Sequence, residues 1–183
     1  MKRTYVSPRR QAMAEQTRSD VIAAVGEELE GPLIELCERV ATRAGVSAAT
    51  VRKLFPRRES LLAAGLDYMI DAVPPPQPAS AETPEAAVAA IFAYFESLGP
   101  NRLWAAYRHG EESEALQQRV RRVEQAVEPI VDGLCRGDRA ARALLRTLLD
   151  PLAYRRLRMA GVSAATARMQ VAKAISAVLA ADD

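Results

Sequence analysis

The sequence predicts an all-α protein, and three observations lead there. Alanine, leucine, arginine and glutamate dominate, and all four favour helix. Apolar residues recur at helical spacing in one segment after another. Stretches that alternate apolar and polar residues with β-branched enrichment are few. Hydrophobic content of 49% and charged content of 26% are ordinary for a globular chain, whereas an aromatic content of 5% calls for an aliphatic, alanine-rich core. A chain of 183 residues holds one medium domain or two small ones.

The elements follow in order. A first helix runs through residues 18–30, with Val21, Ile22, Val25 and Leu29 on one face and Thr17 followed by Asp20 as a capping box. Ser7-Pro8 is an alternative start ten residues earlier, since proline suits the first helical position. Gly31-Pro32 breaks this helix, and a second covers residues 33–44 until Gly45 ends it. Ser47 caps a short third helix that Pro56 stops. Leu61, Leu62, Leu66, Met69 and Ile70 form the stripe of a fourth. Residues 73–84, with the run Pro-Pro-Pro-Gln-Pro, cannot continue a helix, so they are expected to divide residues 1–72 from residues 85–183.

Thr83-Pro84 then starts a helix with Val88, Ile91, Phe92 and Phe95 on one face. Gly99-Pro100 ends it, and a short segment carries Leu103, Trp104 and Tyr107. Leu116, Val120, Val123, Val127, Ile130 and Leu134 follow at 4-3-4-3-4 spacing, a seam for packing against other helices that is bent at Pro129. Gly137-Asp138 opens a helix bearing Leu144, Leu145, Leu148, Leu149 and Leu152, which Pro151 either kinks or divides. Gly161 and Ser163 set off a last helix with Val171, Ile175, Val178 and Leu179.

The informative segment is 37–56. A helix-turn-helix crosses two helices steeply over a tight turn, which demands particular residue sizes. Ala41 is the small residue at the crossing, Gly45 supplies the left-handed turn, and Val40, Ala44, Val46, Val51 and Leu54 plug the angle. The chain contains its own control. Gly-Val-Ser-Ala-Ala-Thr occurs at 45–50 and again at 161–166, but the second copy places Arg156, Leu157 and Gln170 at the equivalent core positions. Burying the Arg156 charge and the Gln170 amide unpaired costs several kcal/mol, so the second copy is a cap and turn only.

With Val51, Leu54 and Phe55 inward, the third helix leaves Ala48, Ala49, Thr50, Arg52 and Lys53 outward, where a recognition helix meets a major groove. Small residues permit close approach, Thr50 suits a phosphate, and either Arg52 or Lys53 reads a guanine edge or clamps the backbone. The net charge of +2 says little, but its distribution says more. Six basic residues and no acidic one lie between Arg39 and Arg58, the composition a polyanion surface needs. Lys2, Arg3, Arg9 and Arg10 form a basic arm that either enters a minor groove or stays solvated. The candidate DNA-contacting residues are Arg43, Ser47, Ala48, Ala49, Thr50, Arg52, Lys53, Arg57 and Arg58.

Across residues 17–66 the sequence resembles the tetracycline-repressor (TetR) family of regulators. The resemblance rests on Thr-Arg-Ser-Asp-Val-Ile at 17–22, Val-Ala-Thr-Arg-Ala-Gly-Val-Ser at 40–47 and Thr-Val-Arg-Lys-Leu-Phe-Pro-Arg-Arg-Glu-Ser-Leu-Leu at 50–62. Arg52, Leu54, Arg58 and Ala49 stand where family members usually carry Tyr, His, Lys and Gly. Asp-Pro-Leu-Ala-Tyr-Arg-Arg-Leu at 150–157 is similar to a segment of one C-terminal subgroup. The resemblance implies an N-terminal three-helix DNA-binding domain and a C-terminal helical bundle that binds an effector and dimerises. Such a homodimer would bind a palindromic operator in double-stranded DNA and be released by a small molecule.

For the effector, Phe92, Phe95, Trp104, Tyr107, His109 and Val127 are the candidate pocket residues, with a surface or capping role as the alternative for His109 and core packing as that for the aromatics. For the dimer interface the candidates are Leu144, Leu148, Leu152, Val171, Ile175 and Val178, unless they close the chain's own core. Cys37 and Cys135 are too few for a disulfide framework or zinc site and read as small core residues. Neither a signal peptide nor a membrane-length apolar run is visible, so a cytoplasmic location is expected. One histidine and scattered carboxylates are poor material for an enzyme, and no catalytic residue, metal site or cofactor is expected. The alternative function is a protein-interaction module whose helix-turn-helix no longer binds DNA.

Overall fold

The computed structural model describes residues 7–110, 113–135 and 137–181; Lys2 and Arg3 of the basic arm lie outside the described residues. All regular structure among the described residues is helical, with ten α-helices, two short 3-10 turns and no strand. The chain divides into two compact units, Met1–Met69 and Ile70–Asp183. The division falls ahead of the proline-rich stretch, not within it. Residues 78–80 form a 3-10 turn that packs with helices of the second unit, and the adjacent Ala81 is buried there.

In the first unit, α1 (Pro8–Glu28) begins at the earlier of the two start signals, with Pro8 in its first turn. Thr17 is therefore mid-helix. Its hydroxyl donates to the Met13 carbonyl at 2.9 Å, so it caps nothing. A 3-10 turn (Leu33–Glu35) leads into α2 (Leu36–Arg43), and α3 (Ala48–Leu54) and α4 (Arg58–Asp71) follow, α4 reaching just past the division. Val21, Val25, Leu29, Val40, Val51 and Leu61 are completely buried and form the core of this unit. The approach of α4 to α1 depends on Gly65, where a Cβ would lie 2.3 Å from Val25 Cγ1.

The second unit contains α5 (Pro84–Leu98), α6 (Pro100–Gly110), α7 (Glu114–Cys135), α8 (Arg139–Leu148), α9 (Pro151–Met159) and α10 (Ala164–Ala180). Residues 100–110, expected as a short segment, make a full helix because Pro100 occupies its first turn without needing a donor. Pro151 divides rather than kinks. Asp150 accepts from the amides of Leu152 (2.7 Å) and Ala153 (3.1 Å) and so starts a new helix. Pro129 lies inside α7. The seam of α7 is buried at Leu116, Val120, Val123, Val127 and Ile130 and half-buried at Leu134.

At the centre of this unit Tyr154 packs on Phe92 with ring centroids 4.2 Å apart, and Phe95 completes the cluster. The Tyr154 hydroxyl donates to the Glu96 carboxylate. Burial first, and then that hydrogen bond, pushes the phenol up to about 12. Cys135 is buried and Cys37 half-buried.

Candidate functional site

The turn at residues 44–47 is built by two short devices. Gly45 adopts φ +66, a conformation that side chains other than glycine reach only with strain, and the amides of Ala44 and Val46 close the end of α2 on the carbonyls of Val40 and Ala41. Ser47 then caps α3 by accepting from the Thr50 amide at 3.1 Å, and the two hydroxyls bond at 2.9 Å. Val40, Ala41 and Val51 are buried where α2 and α3 meet, with Phe55 buried just beyond them. Leu54, expected inward, is half-buried.

The outward residues divide by degree. Ala49, Arg52 and Lys53 are exposed, whereas Ala48 and Thr50 are half-buried. Arg43, Arg57 and Arg58 are exposed. The basic run is not all available charge. Arg52 pairs with Glu38 on α2. Arg43 Nε donates to Glu28 at 2.6 Å, and Arg39 Nε donates to the other Glu28 oxygen at 2.9 Å. Arg39 also donates to the Pro32 carbonyl at 2.5 Å and the Glu28 carbonyl at 3.0 Å, so it fastens the end of α1 to α2. The guanidinium hydrogen bonds of Arg43 and then Arg39 hold the Glu28 carboxyl below its ordinary range.

Sequence reading missed Glu28, Arg39 and Glu38 as shapers of this surface. Both acids lie outside the basic stretch, and the pairs they form span 11, 14 and 15 residues, beyond any helical repeat. Arg18 was missed too. Its guanidinium lies 4.5 Å from the centroid of the Phe55 ring, and it reaches the Leu54 carbonyl at 3.4 Å.

In the second unit the six expected pocket residues do not share a cavity. Phe92 and Phe95 are completely buried core, and His109 is buried rather than on the surface, because each sits on the inward stripe of its helix. Trp104 and Tyr107 line a groove of about 310 Å³ with Val120 and Leu152, while Val127 lines a neighbouring groove of about 290 Å³; Glu124 borders both. The Tyr107 hydroxyl donates to Glu124 at 3.1 Å. Burial, reinforced by that carboxylate, raises its pKa well above the ordinary tyrosine value. The groove also contains Arg108 and Arg121, which sequence reading did not single out. The 3- and 4-residue spacing of Gln117, Val120, Arg121 and Glu124 was the signal that could have found the α7 wall.

The expected dimer residues separate similarly. Val171 and Ile175 are buried in the unit's own core, where α10 packs on α5, so they do not present an outer face. Leu144 is 51% exposed; Leu148, Leu152 and Val178 are half-buried, and Leu152 lines the groove. Among the described residues no group of three or more His, Cys, Asp or Glu is placed to hold a metal ion, and no helix is long and apolar enough to cross a membrane. Comparison with protein-family models, curated proteins and solved structures gives no match for this chain.

Proposed function

We propose that this chain is a DNA-binding transcriptional regulator of the TetR type, a ligand-responsive repressor in which α2, the turn and α3 act as the helix-turn-helix. The observation that carries this reading is the two-sided chemistry of α3. Val51 is completely buried against α2, while Ala49, Arg52 and Lys53 are exposed on a helix that Ser47 caps. A capped helix seated on a few apolar residues, with small and cationic side chains outward, suits entry into a major groove. In a homodimer two such helices would meet successive grooves about 34–36 Å apart on a palindromic operator. A ligand favouring a dimer with the wrong spacing would release DNA by population shift.

Selection of bound DNA from a random pool tests this directly, with a recovered palindrome as the expected result. Replacing both Arg52 and Lys53 by alanine is expected to weaken binding to that DNA and flatten its salt dependence, by about 0.9 in log–log slope for each phosphate no longer neutralised. Unchanged affinity and slope would sink the assignment. One observation favours a second reading, an interaction module. Glu28 and Glu38 neutralise part of the basic surface within the chain itself. That reading predicts no selected sequence and a flat salt response.

A further inference from the structure

The groove bordered by α6, α7 and α9 has walls and charges that select a chemical class of ligand. Trp104, Tyr107, Val120 and Leu152 supply aromatic and aliphatic surface, and Arg108 and Arg121 stand beside them. Neither of those guanidiniums has a hydrogen-bond or ion-pair acceptor among the described residues. The one carboxylate in the lining, Glu124, already accepts the Tyr107 hydroxyl. A third guanidinium, Arg155, stacks on the Trp104 ring at 4.4 Å, and its Nε is buried without an acceptor among the described residues. The lining thus carries two cations against one engaged anion, with a third cation touching its aromatic wall.

Arginines next to apolar surface, with no acceptor among the described residues, attract an anion and repel an organic cation. A carboxylate also matches the guanidinium fork, which can bind it through two parallel hydrogen bonds. A volume of about 310 Å³ is small for a ligand site, so the apolar body must be compact. We propose that this groove binds an amphipathic monocarboxylate of medium chain length, its tail against Trp104, Val120 and Leu152 and its carboxylate held by Arg108 and Arg121. As the class of effector this rests on the regulator reading above; as a binding site it stands without it.

Trp104 is the only tryptophan in the chain, so its fluorescence reports on this groove alone. The full chain is titrated with decanoate, and in parallel with decan-1-ol and decylamine, without DNA. Decanoate is expected to give a saturable change, decylamine none, and decan-1-ol at least tenfold weaker binding. Arg108→Gln with Arg121→Gln is expected to raise the decanoate Kd at least tenfold, with circular dichroism and melting temperature unchanged because both side chains are at the surface. No saturable change with decanoate, equal binding of decylamine, or an unaltered Kd in the double variant each overturns the proposal. Repeating the DNA-binding measurement at saturating decanoate separates the two readings. Ligand binding without any effect on DNA keeps the site and removes its effector role, whereas release of DNA only from the unsubstituted chain supports both.

Discussion

At the scale of single residues, Glu28 is the hinge of the first unit's polar chemistry. One carboxylate receives two guanidiniums, from Arg39 at 2.9 Å and Arg43 at 2.6 Å. Its pKa is depressed in the folded chain, so its contribution is complete above the ordinary value of 4.5 and is lost as pH falls through the lower folded value. Glu28→Gln is expected to cost about 1–2 kcal/mol at neutral pH and to flatten this acid-dependent loss, read by urea unfolding across a pH series. An unchanged acid limb would show that other carboxylates govern it. Glu38 presents the opposite case. It engages Arg52 on an exposed surface, where such a pair is worth at most about 1 kcal/mol. Glu38→Gln should leave stability nearly unaltered while tightening DNA binding and steepening the salt slope, since Arg52 is then released to a phosphate. Weaker binding by this variant would mean that Glu38 positions Arg52 instead of masking it.

At the scale of elements, the duplicated hexapeptide separates local from tertiary causes. Both copies make the same structure: Gly45 and Gly161 have φ +66 and +80, and Ser47 and Ser163 each accept from the amide of a threonine three residues on, at 3.1 Å. Their settings differ. Val40 is buried ahead of the first copy, while Arg156 is exposed ahead of the second. The six residues dictate the cap and turn; flanking side chains decide whether the two helices share a core. At neither glycine would an added Cβ meet another atom within 4 Å, so only backbone strain opposes alanine. Gly45→Ala and Gly161→Ala are therefore each expected to cost about 1–2 kcal/mol in unfolding measurements. Only the first should reduce DNA affinity. Equal losses of affinity would remove the distinction between the copies.

At the scale of the whole molecule, the two units fix which surfaces are left for a second copy. Val171 and Ile175 are already used inside the second unit, so the dimer proposal falls on α8. There Leu145 is completely buried, while Leu144 is 51% exposed and Leu148, four residues on, half-buried. Leu144→Glu is expected to yield a monomer in sedimentation with little change in melting temperature. A persistent dimer would move the interface elsewhere. Charge is also distributed at this scale. A net charge of +2 hides a surface on which Lys53 and Arg57 are exposed while Arg39 and Arg43 are held by Glu28.

Most helices and several of their ends were legible in the amino-acid order alone, but α6 as a full helix was not. Caps, prolines and positive-φ glycines act within a few residues, so Ser47, Thr83, Asp138 and Ser163 could be read directly, or from the proline or glycine beside them. Pro151 left a kink and a division equally open, and the Asp150 cap on α9 decides for division. Val40, Ala41 and Val51 on the buried face of α2 and α3 were equally plain, because their spacing is helical, whereas Ala44, Val46 and Leu54 are only half-buried. Thr17 misled because an earlier start at Pro8 was open to the same residues, and a longer helix satisfies more backbone donors. Packing between helices settled the rest: which charges are answered, which aromatic residues are core, and which stripe of α10 is spent internally. Those outcomes depend on residues far apart in the chain meeting across helices, and no local period encodes such meetings.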